Sequence, residues 1–291
     1  MQSIYDVPAP AKLNLFLHIV GRRYDGYHLL QSVFQLISWS DTLHFDLRAD
    51  GQLSREDLSW QLPEDDLVLR AARALQEVTG CKAGAHIGVL KSVPAQAGMG
   101  GGSSDAASTL LALNRLWGLN LPVSRLASIG LALGADVPFF LGGRNAWVEG
   151  IGEQMTPLTL APARFLVVKP DAGLETRLIF SDPALKRDSE PAIISGFAAN
   201  AIGFGRNDLQ AVAQKLCPGV TQAIKWLELQ GLDGRMTGSG SAVFAQLPEQ
   251  LSNRSAEDLC RSSGALQARV CSGLNVHPLL GWAEGDGYLK V

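Results

Sequence analysis

The sequence predicts a chain of the α/β (α+β) class in two domains, residues 1–155 and 156–291. Three observations carry that expectation. Residues 8–20 alternate with a period of two, as a half-buried strand does. Residues 98–116 pass from a run of glycines straight into apolar positions spaced by three and four, as an amphipathic helix does. Strand-like segments at 144–149 and 164–169 flank a Gly- and Pro-containing connection, where the boundary is expected near 155.

The bulk composition limits what the chain can be. Its 291 residues are 46% hydrophobic and 18% charged, enough for a substantial core and too apolar for disorder. A net charge of −3 without a long charged run argues against gripping nucleic acid or an anionic membrane as the main task. The N-terminus lacks the basic head and apolar core of a signal peptide, and no run of about 18 apolar residues occurs. Cys81, Cys217, Cys260 and Cys271 form no Cys-x-x-Cys pair and read as free thiols of a reducing cytoplasm. The five histidines have no metal-ligand spacing.

In order along the chain, the strand at 8–20 puts Leu13, Leu15, Leu17 and Ile19 on one face and Lys12, Asn14, Phe16 and His18 on the other. A lysine on a strand is most often solvated, yet Lys12 starts an otherwise apolar run. Residues 21–28 form a turn-rich loop whose Tyr27 and His28 offer a flat ring and a directional polar group, either as a solvated connection or as a ligand rim. Strands at 32–37 and 42–47 are expected to join near Ser40 and Asp41, with a polar loop over 50–66. Asp66 and Gly80 bracket a helix over 67–79, and a strand is expected at 85–91.

Gly98, Gly100, Gly101 and Gly102 then precede Ser103, Ser104 and Asp105. Glycine permits positive φ and removes the Cβ atoms that would block a ligand. The helix that follows adds unpaired N–H groups and a partial positive charge, which suits phosphate. Ser103 and Ser104 add hydroxyls for phosphate or magnesium. A flexible turn before a capped helix has the same composition, so the glycines alone leave both readings open. Neither Gly-Lys-Ser/Thr nor Gly-x-Gly-x-x-Gly occurs, which excludes a P-loop and a dinucleotide fingerprint.

Ser124 is expected to cap a helix to Leu133. Asp136, set among Ala, Val, Pro and two Phe, reads either as an N-cap or as an acid that must be paired or perturbed. Residues 183–207 look like loop with short helices, Asp208 like the cap of a helix to Lys215, and 219–230 like a further helix. A second glycine turn at 235–245 leads into a strand and reads either as a simple hairpin turn or as a support for the first from across a cleft. A helix at 255–263 and a strand at 268–271 precede a Gly-rich tail expected to be loose.

Pro-Ala-Lys-Leu-Asn-Leu at 10–15, Gly-Met-Gly-Gly-Gly-Ser-Ser-Asp-Ala-Ala at 98–107 and Thr-Gly-Ser-Gly-Ser-Ala-Val-Phe-Ala at 237–245 resemble the three motifs of the GHMP small-molecule kinases. Gly-Ala-Asp-Val-Pro-Phe-Phe at 134–140 adds a fourth. The resemblance runs from about residue 8 to 280 and is thinnest over 184–207 and beyond Pro278. It implies a two-domain fold with a left-handed β-α-β unit and the active site between the domains. ATP would lie on Pro94, Ala95, Gln96, Ala97, Gly98, Met99, Gly100, Gly101, Gly102, Ser103 and Ser104. Lys12 and Asp136 would be the catalytic pair, with Mg²⁺ held largely by ATP and water and by no acidic cage. Asp-Gly-Tyr-His at 25–28 and Leu-Ile-Phe-Ser-Asp-Pro at 178–183 resemble the branch whose acceptor is 4-diphosphocytidyl-2-C-methyl-D-erythritol, phosphorylated at its 2-hydroxyl in the non-mevalonate isoprenoid pathway. Tyr27 and Phe180 would sandwich the cytosine, His28 would bond its edge, and Asn14 and Thr176 would place the erythritol and ribose. A mevalonate-type or homoserine kinase is the alternative within the superfamily, but neither acceptor has a base to stack. A non-catalytic GHMP-fold sensor of a small molecule is the alternative from a different functional class. A monomer or weak homodimer in the cytoplasm, with no nucleic-acid or membrane partner, completes the expectation.

Overall fold

A computed structural model describes residues 1–201, 203–264 and 266–288. The chain opens on two long antiparallel strands, β1 (Ser3–Arg22) and β2 (His28–Arg48). β3 (Leu53–Asp57) and β4 (Gly84–Leu90) are parallel neighbours, and α1 (Leu67–Thr79) supplies the crossover that a parallel pair requires. Asp66 accepts a hydrogen bond from the Leu69 amide and Gly80 closes the helix at φ 67°, as its sequence brackets foretold. Next come α2 (Gly101–Leu116), α3 (Val123–Leu133), α4 (Val137–Gly142), β5 (Ala146–Glu149) and β6 (Gln154–Pro157). The second half holds β7 (Arg164–Lys169), α5 (Thr176–Ser181), α6 (Ile194–Ala199), α7 (Gln210–Leu216) and α8 (Pro218–Leu229). β8 (Arg235–Met236), β9 (Val243–Gln246), α9 (Asn253–Ser262) and β10 (Gln267–Leu274) complete it. Among the described residues no helix is long and apolar enough to cross a membrane.

One sheet runs through both halves in the order β3-β4-β2-β10-β7-β9-β8, with β1 and β5 also on β2. β10 makes the join: residues 267–272 pair with β7, and Gly273 and Leu274 pair with Ile37 and Leu36 of β2. The first core gathers α1 to α4 over the N-terminal strands, and the second gathers α7 and α8 over β7 and β9. A third, with Leu13, Phe16, Trp39, Trp147, Phe165 and Phe244, lies across the join. α2 is central and buried almost all round. Its Ser104 and Ser108, one turn apart on a single face, donate to the carbonyls of Pro10 and Pro8 at 2.7 and 2.8 Å. Small residues thus let α2 lie close to β1 while its hydroxyls satisfy the strand's buried carbonyls.

Several expectations are corrected here. The two strands read on either side of Ser40 and Asp41 are one strand, β2. Asp41 marks no turn; it is fully buried and accepts from the amides of Ser92 and Val93 at 2.5 and 2.7 Å. The polar loop over 50–66 contains β3, whose Arg55 is neutralised locally by Asp57 and Asp66. Ser124 and Asp208 cap nothing: the caps fall at Pro122 and Leu209, Ser124 donates to Asp286, and Asp208 accepts from the Ile19 amide. Residue 155 lies inside β6, which pairs with β5, so the boundary placed there cuts a hairpin. The tail through residue 288 is docked, with His277, Leu279 and Ala283 buried against the N-terminal half. Register shifts in β1 between Asn14 and Leu17 break the strict alternation, which is how Leu15 and Phe16 come to share one core.

Candidate active site

A cleft of about 800 Å³ opens between the halves. Its floor is the turn at 94–103, its walls include Lys12, Asn14 and Asp136, and its far side is formed by 174–177, Phe180 and 238–240. The two glycine turns meet backbone to backbone. A Cβ on Gly98 would stand 2.2 Å from the Thr237 carbonyl oxygen, and one on Gly238 would stand 2.6 Å from the Gly98 carbonyl oxygen. The Ser241 and Ala242 amides donate to the carbonyls of Gln96 and Ala97 at 3.0 and 3.2 Å, lacing the turns together. The support expected from across the cleft is therefore direct.

Gly100, at φ 71°, is the N-cap of α2 and brings no side chain to satisfy the helix's first amides. The Ser104 amide already bonds the Gly100 carbonyl at 2.9 Å, so the amides of 101–103 are the ones left for a ligand. Bare amides, a helix N-terminus and a backbone with no Cβ in the way suit a triphosphate. Ser103 lines the cleft. Ser104, expected beside it among phosphate or magnesium ligands, is fully buried and bonded to Pro10, so its role is to mount α2 on β1. Gly98→Ala is expected to destabilise the fold by more than about 2 kcal/mol, because it adds a Cβ at positive φ against backbone. It should also weaken ATP binding at least about tenfold. Thermal melts and calorimetric titration with ATP check both.

Lys12 and Asp136 meet in this cleft. Lys12 Nζ lies 3.5 Å from Asp136 Oδ2, with the lysine almost wholly buried and the carboxylate side chain 31% exposed. Lys12 is held from three sides: its amide bonds the Met99 carbonyl at 3.0 Å, its Nζ donates to Asn14 Oδ1 at 2.6 Å, and it stands 4.3 Å above the Phe34 ring. Asn14 in turn donates to Ser32 Oγ at 2.9 Å, and its own amide bonds Thr237 Oγ1 at 2.9 Å. Burial lowers the Lys12 pKa from its ordinary value, and Asp136 offsets only part of that. Asp136 occupies the N-cap position of α4 but makes no capping bond. Of its two sequence readings, the acid rather than the cap matches this geometry.

Sequence reading missed a second charged group below the glycine turn. Lys91 Nζ donates to Asp41 and, at 2.5 Å, to Asp105 Oδ2, all three being buried. Burial, aided by Asp41 and opposed by Lys91, raises the Asp105 pKa to about 7. For Lys91, burial acts to lower the pKa, but the two carboxylates outweigh it and the net shift is upward. Lys91 and Asp105 both line the cleft. The sequence signal was an acid, Asp105, set between the small residues that open α2 and its apolar continuation.

On the far side of the cleft, Thr176 and Phe180 line it, and Thr176 Oγ1 lies 2.7 Å from Ser239 Oγ. The His28 and Phe180 rings are 5.1 Å apart, centroid to centroid, tilted by 38°. Tyr27 is 61% exposed on the neighbouring loop and stands outside the cleft lining. The structure thus gathers Lys12, Asn14, Asp136, residues 94–103, Thr176 and Phe180, borders them with His28, and leaves Tyr27 apart.

Comparison with known proteins agrees with this geometry. Residues 66–144 match the GHMP kinases N terminal domain, and residues 192–262 match the GHMP kinases C terminal family. The chain is 71% identical over 286 residues to the 4-diphosphocytidyl-2-C-methyl-D-erythritol kinase of Albidiferax ferrireducens, covering 98% of each protein. It is 64% identical to the protein of the same name from Variovorax paradoxus, covering 97% of this chain and 100% of that one. A crystal structure of 4-(cytidine 5'-diphospho)-2C-methyl-D-erythritol kinase superposes with a TM-score of 0.76 at 34% identity, over 93% of this chain and 98% of that one. The chain belongs to the GHMP kinases and, within them, to the 4-diphosphocytidyl-2-C-methyl-D-erythritol kinases.

Proposed function

We propose that the protein transfers the γ-phosphoryl group of ATP to the 2-hydroxyl of 4-diphosphocytidyl-2-C-methyl-D-erythritol, within the non-mevalonate route to isoprenoids. The observation that carries the reading is the Lys12–Asp136 pair facing a glycine turn across one cleft. The acceptor oxygen attacks the γ-phosphorus, its proton passes to the Asp136 carboxylate, and ADP leaves. Lys12, 3.5 Å from that carboxylate, balances charge that builds on the transferring group. Asn14 fixes the lysine's position through its 2.6 Å bond. The amides of 101–103 hold the phosphates, so catalysis is chiefly positioning and electrostatics. Magnesium, when bound with ATP, supplies neutralisation of phosphate charge. Ser103, which lines the cleft beside the 101–103 amides, would offer it a hydroxyl oxygen, the donor type a hard cation takes. Phe180, His28 and the exposed Tyr27 on the adjoining loop are the groups for a cytosine ring.

The test is to incubate purified protein with ATP and Mg²⁺ and, in separate reactions, the cytidine-bearing acceptor, mevalonate and homoserine. Phosphorus NMR is expected to show a new monophosphate ester on the 2-hydroxyl of the first alone. Phosphorylation of mevalonate or homoserine instead, or of none, overturns the reading.

A further inference from the structure

After α5 the chain carries an arginine whose bonds all converge on the acceptor end of the cleft. Arg187 Nη1 donates to the Leu185 carbonyl at 2.9 Å, and Nη2 donates to the carbonyls of Phe180 and Asp182 at 3.3 and 2.8 Å. Its Nε donates to Nε2 of His28 at 3.0 Å, reaching a residue 159 positions earlier at the start of β2. One side chain therefore ties the end of α5 to the mouth of the long hairpin.

That contact fixes the state of the imidazole. A guanidinium has donors and no acceptor, and it keeps its charge at any ordinary pH. The nitrogen that meets it must present a lone pair, so the His28 ring proton sits on Nδ1. A doubly protonated ring would set N–H against N–H. The surroundings agree: burial first, then Arg187 and Arg22, lower the His28 pKa from its ordinary value. The same arginine holds the backbone of Phe180, whose ring lies 5.1 Å from that of His28.

We propose that Arg187 is a positioning residue for the acceptor: it locks His28 as the neutral Nδ1–H tautomer and sets that ring against Phe180, leaving one ring donor for the base of the cytidine. The proposal rests on the acceptor reading given above. An Nδ1–H donor complements the O2 and N3 lone pairs of cytosine. A histidine free to change tautomer would present that donor only part of the time, and its apparent affinity would fall with the competent fraction.

Nitrogen-15 labelled histidine and long-range proton–nitrogen spectra of the free enzyme read the tautomer. The wild type is expected to carry the His28 proton on Nδ1 near neutral pH. Arg187→Met, which keeps an apolar stem without donors, is expected to shift His28 toward Nε2–H. It should raise the acceptor KM about tenfold while kcat and the ATP KM stay within about twofold. A wild-type proton on Nε2 overturns the proposal and requires no variant to fold. A shifted tautomer with an unchanged acceptor KM overturns it as well, as does an equal loss of acceptor and ATP affinity. Because the tautomer is read without substrate, failure to phosphorylate the cytidine-bearing acceptor would sink the acceptor reading and leave the Arg187–His28 measurement standing.

Discussion

Asp136→Asn is expected to lower kcat about a thousandfold, within the range that general-base catalysis contributes, while ATP binds with near-wild-type affinity. The substitution keeps the size and shape of the side chain and removes its capacity to take a proton together with the charge that faces Lys12. The fold does not rely on the carboxylate, which makes no capping bond to α4 and is partly open to solvent. Asparagine is itself a good residue at that position, so the melting temperature should barely move. Steady-state rates together with an ATP titration separate the two effects. Full turnover in the variant would remove Asp136 as the base.

Lys12→Met is expected to lower kcat by about 10²- to 10³-fold, the loss that follows removal of one charge-stabilising donor from an active site. Its effect on stability should be small, and the sign is open to a physical argument. Burial already disfavours the ammonium, as its lowered pKa shows. Methionine matches the stem and relieves that desolvation. Against this, Asn14 Oδ1 loses its 2.6 Å donor, which costs about 1–3 kcal/mol for a buried acceptor. The two roughly cancel, so the net change is expected within about 2 kcal/mol. A folded, inactive enzyme is the expected result, read from a thermal melt beside the rate. Wild-type turnover would dismiss Lys12 from the chemistry.

What could be read from the sequence was what depends on near neighbours. Asp66 and Gly80 bound α1 because capping is settled within a few residues. The glycine turn and α2 were legible for the same reason, and the period of a strand put Lys12 and Asn14 on one face, where they now share a hydrogen bond. Features made by distant partners were not legible. Ser40 and Asp41 look like a turn until the amides of Ser92 and Val93 are known to face Asp41. Lys91 is, in sequence, no more than the last residue of the strand expected at 85–91, and only the fold encloses it between two acids. Arg187 sits in a stretch that matched no motif, and its link to His28 spans 159 positions. Ser104 stood one residue from Ser103 in a phosphate-binding pattern, but helical rotation turned it inward. Asp136 was ambiguous because an N-cap and a catalytic acid have the same local sequence.

Because β10 borders β2 with its last residues and β7 with the rest, the N-terminal strands are completed by the far end of the chain. The buried His277 and Leu279 extend that dependence past the final strand. A gene split at codon 155 would therefore yield two polypeptides that each lack a piece owned by the other, one short of a sheet neighbour and its clasp, the other short of half a hairpin. Neither should be soluble by itself, whereas co-expression should let them reassemble into a working pair.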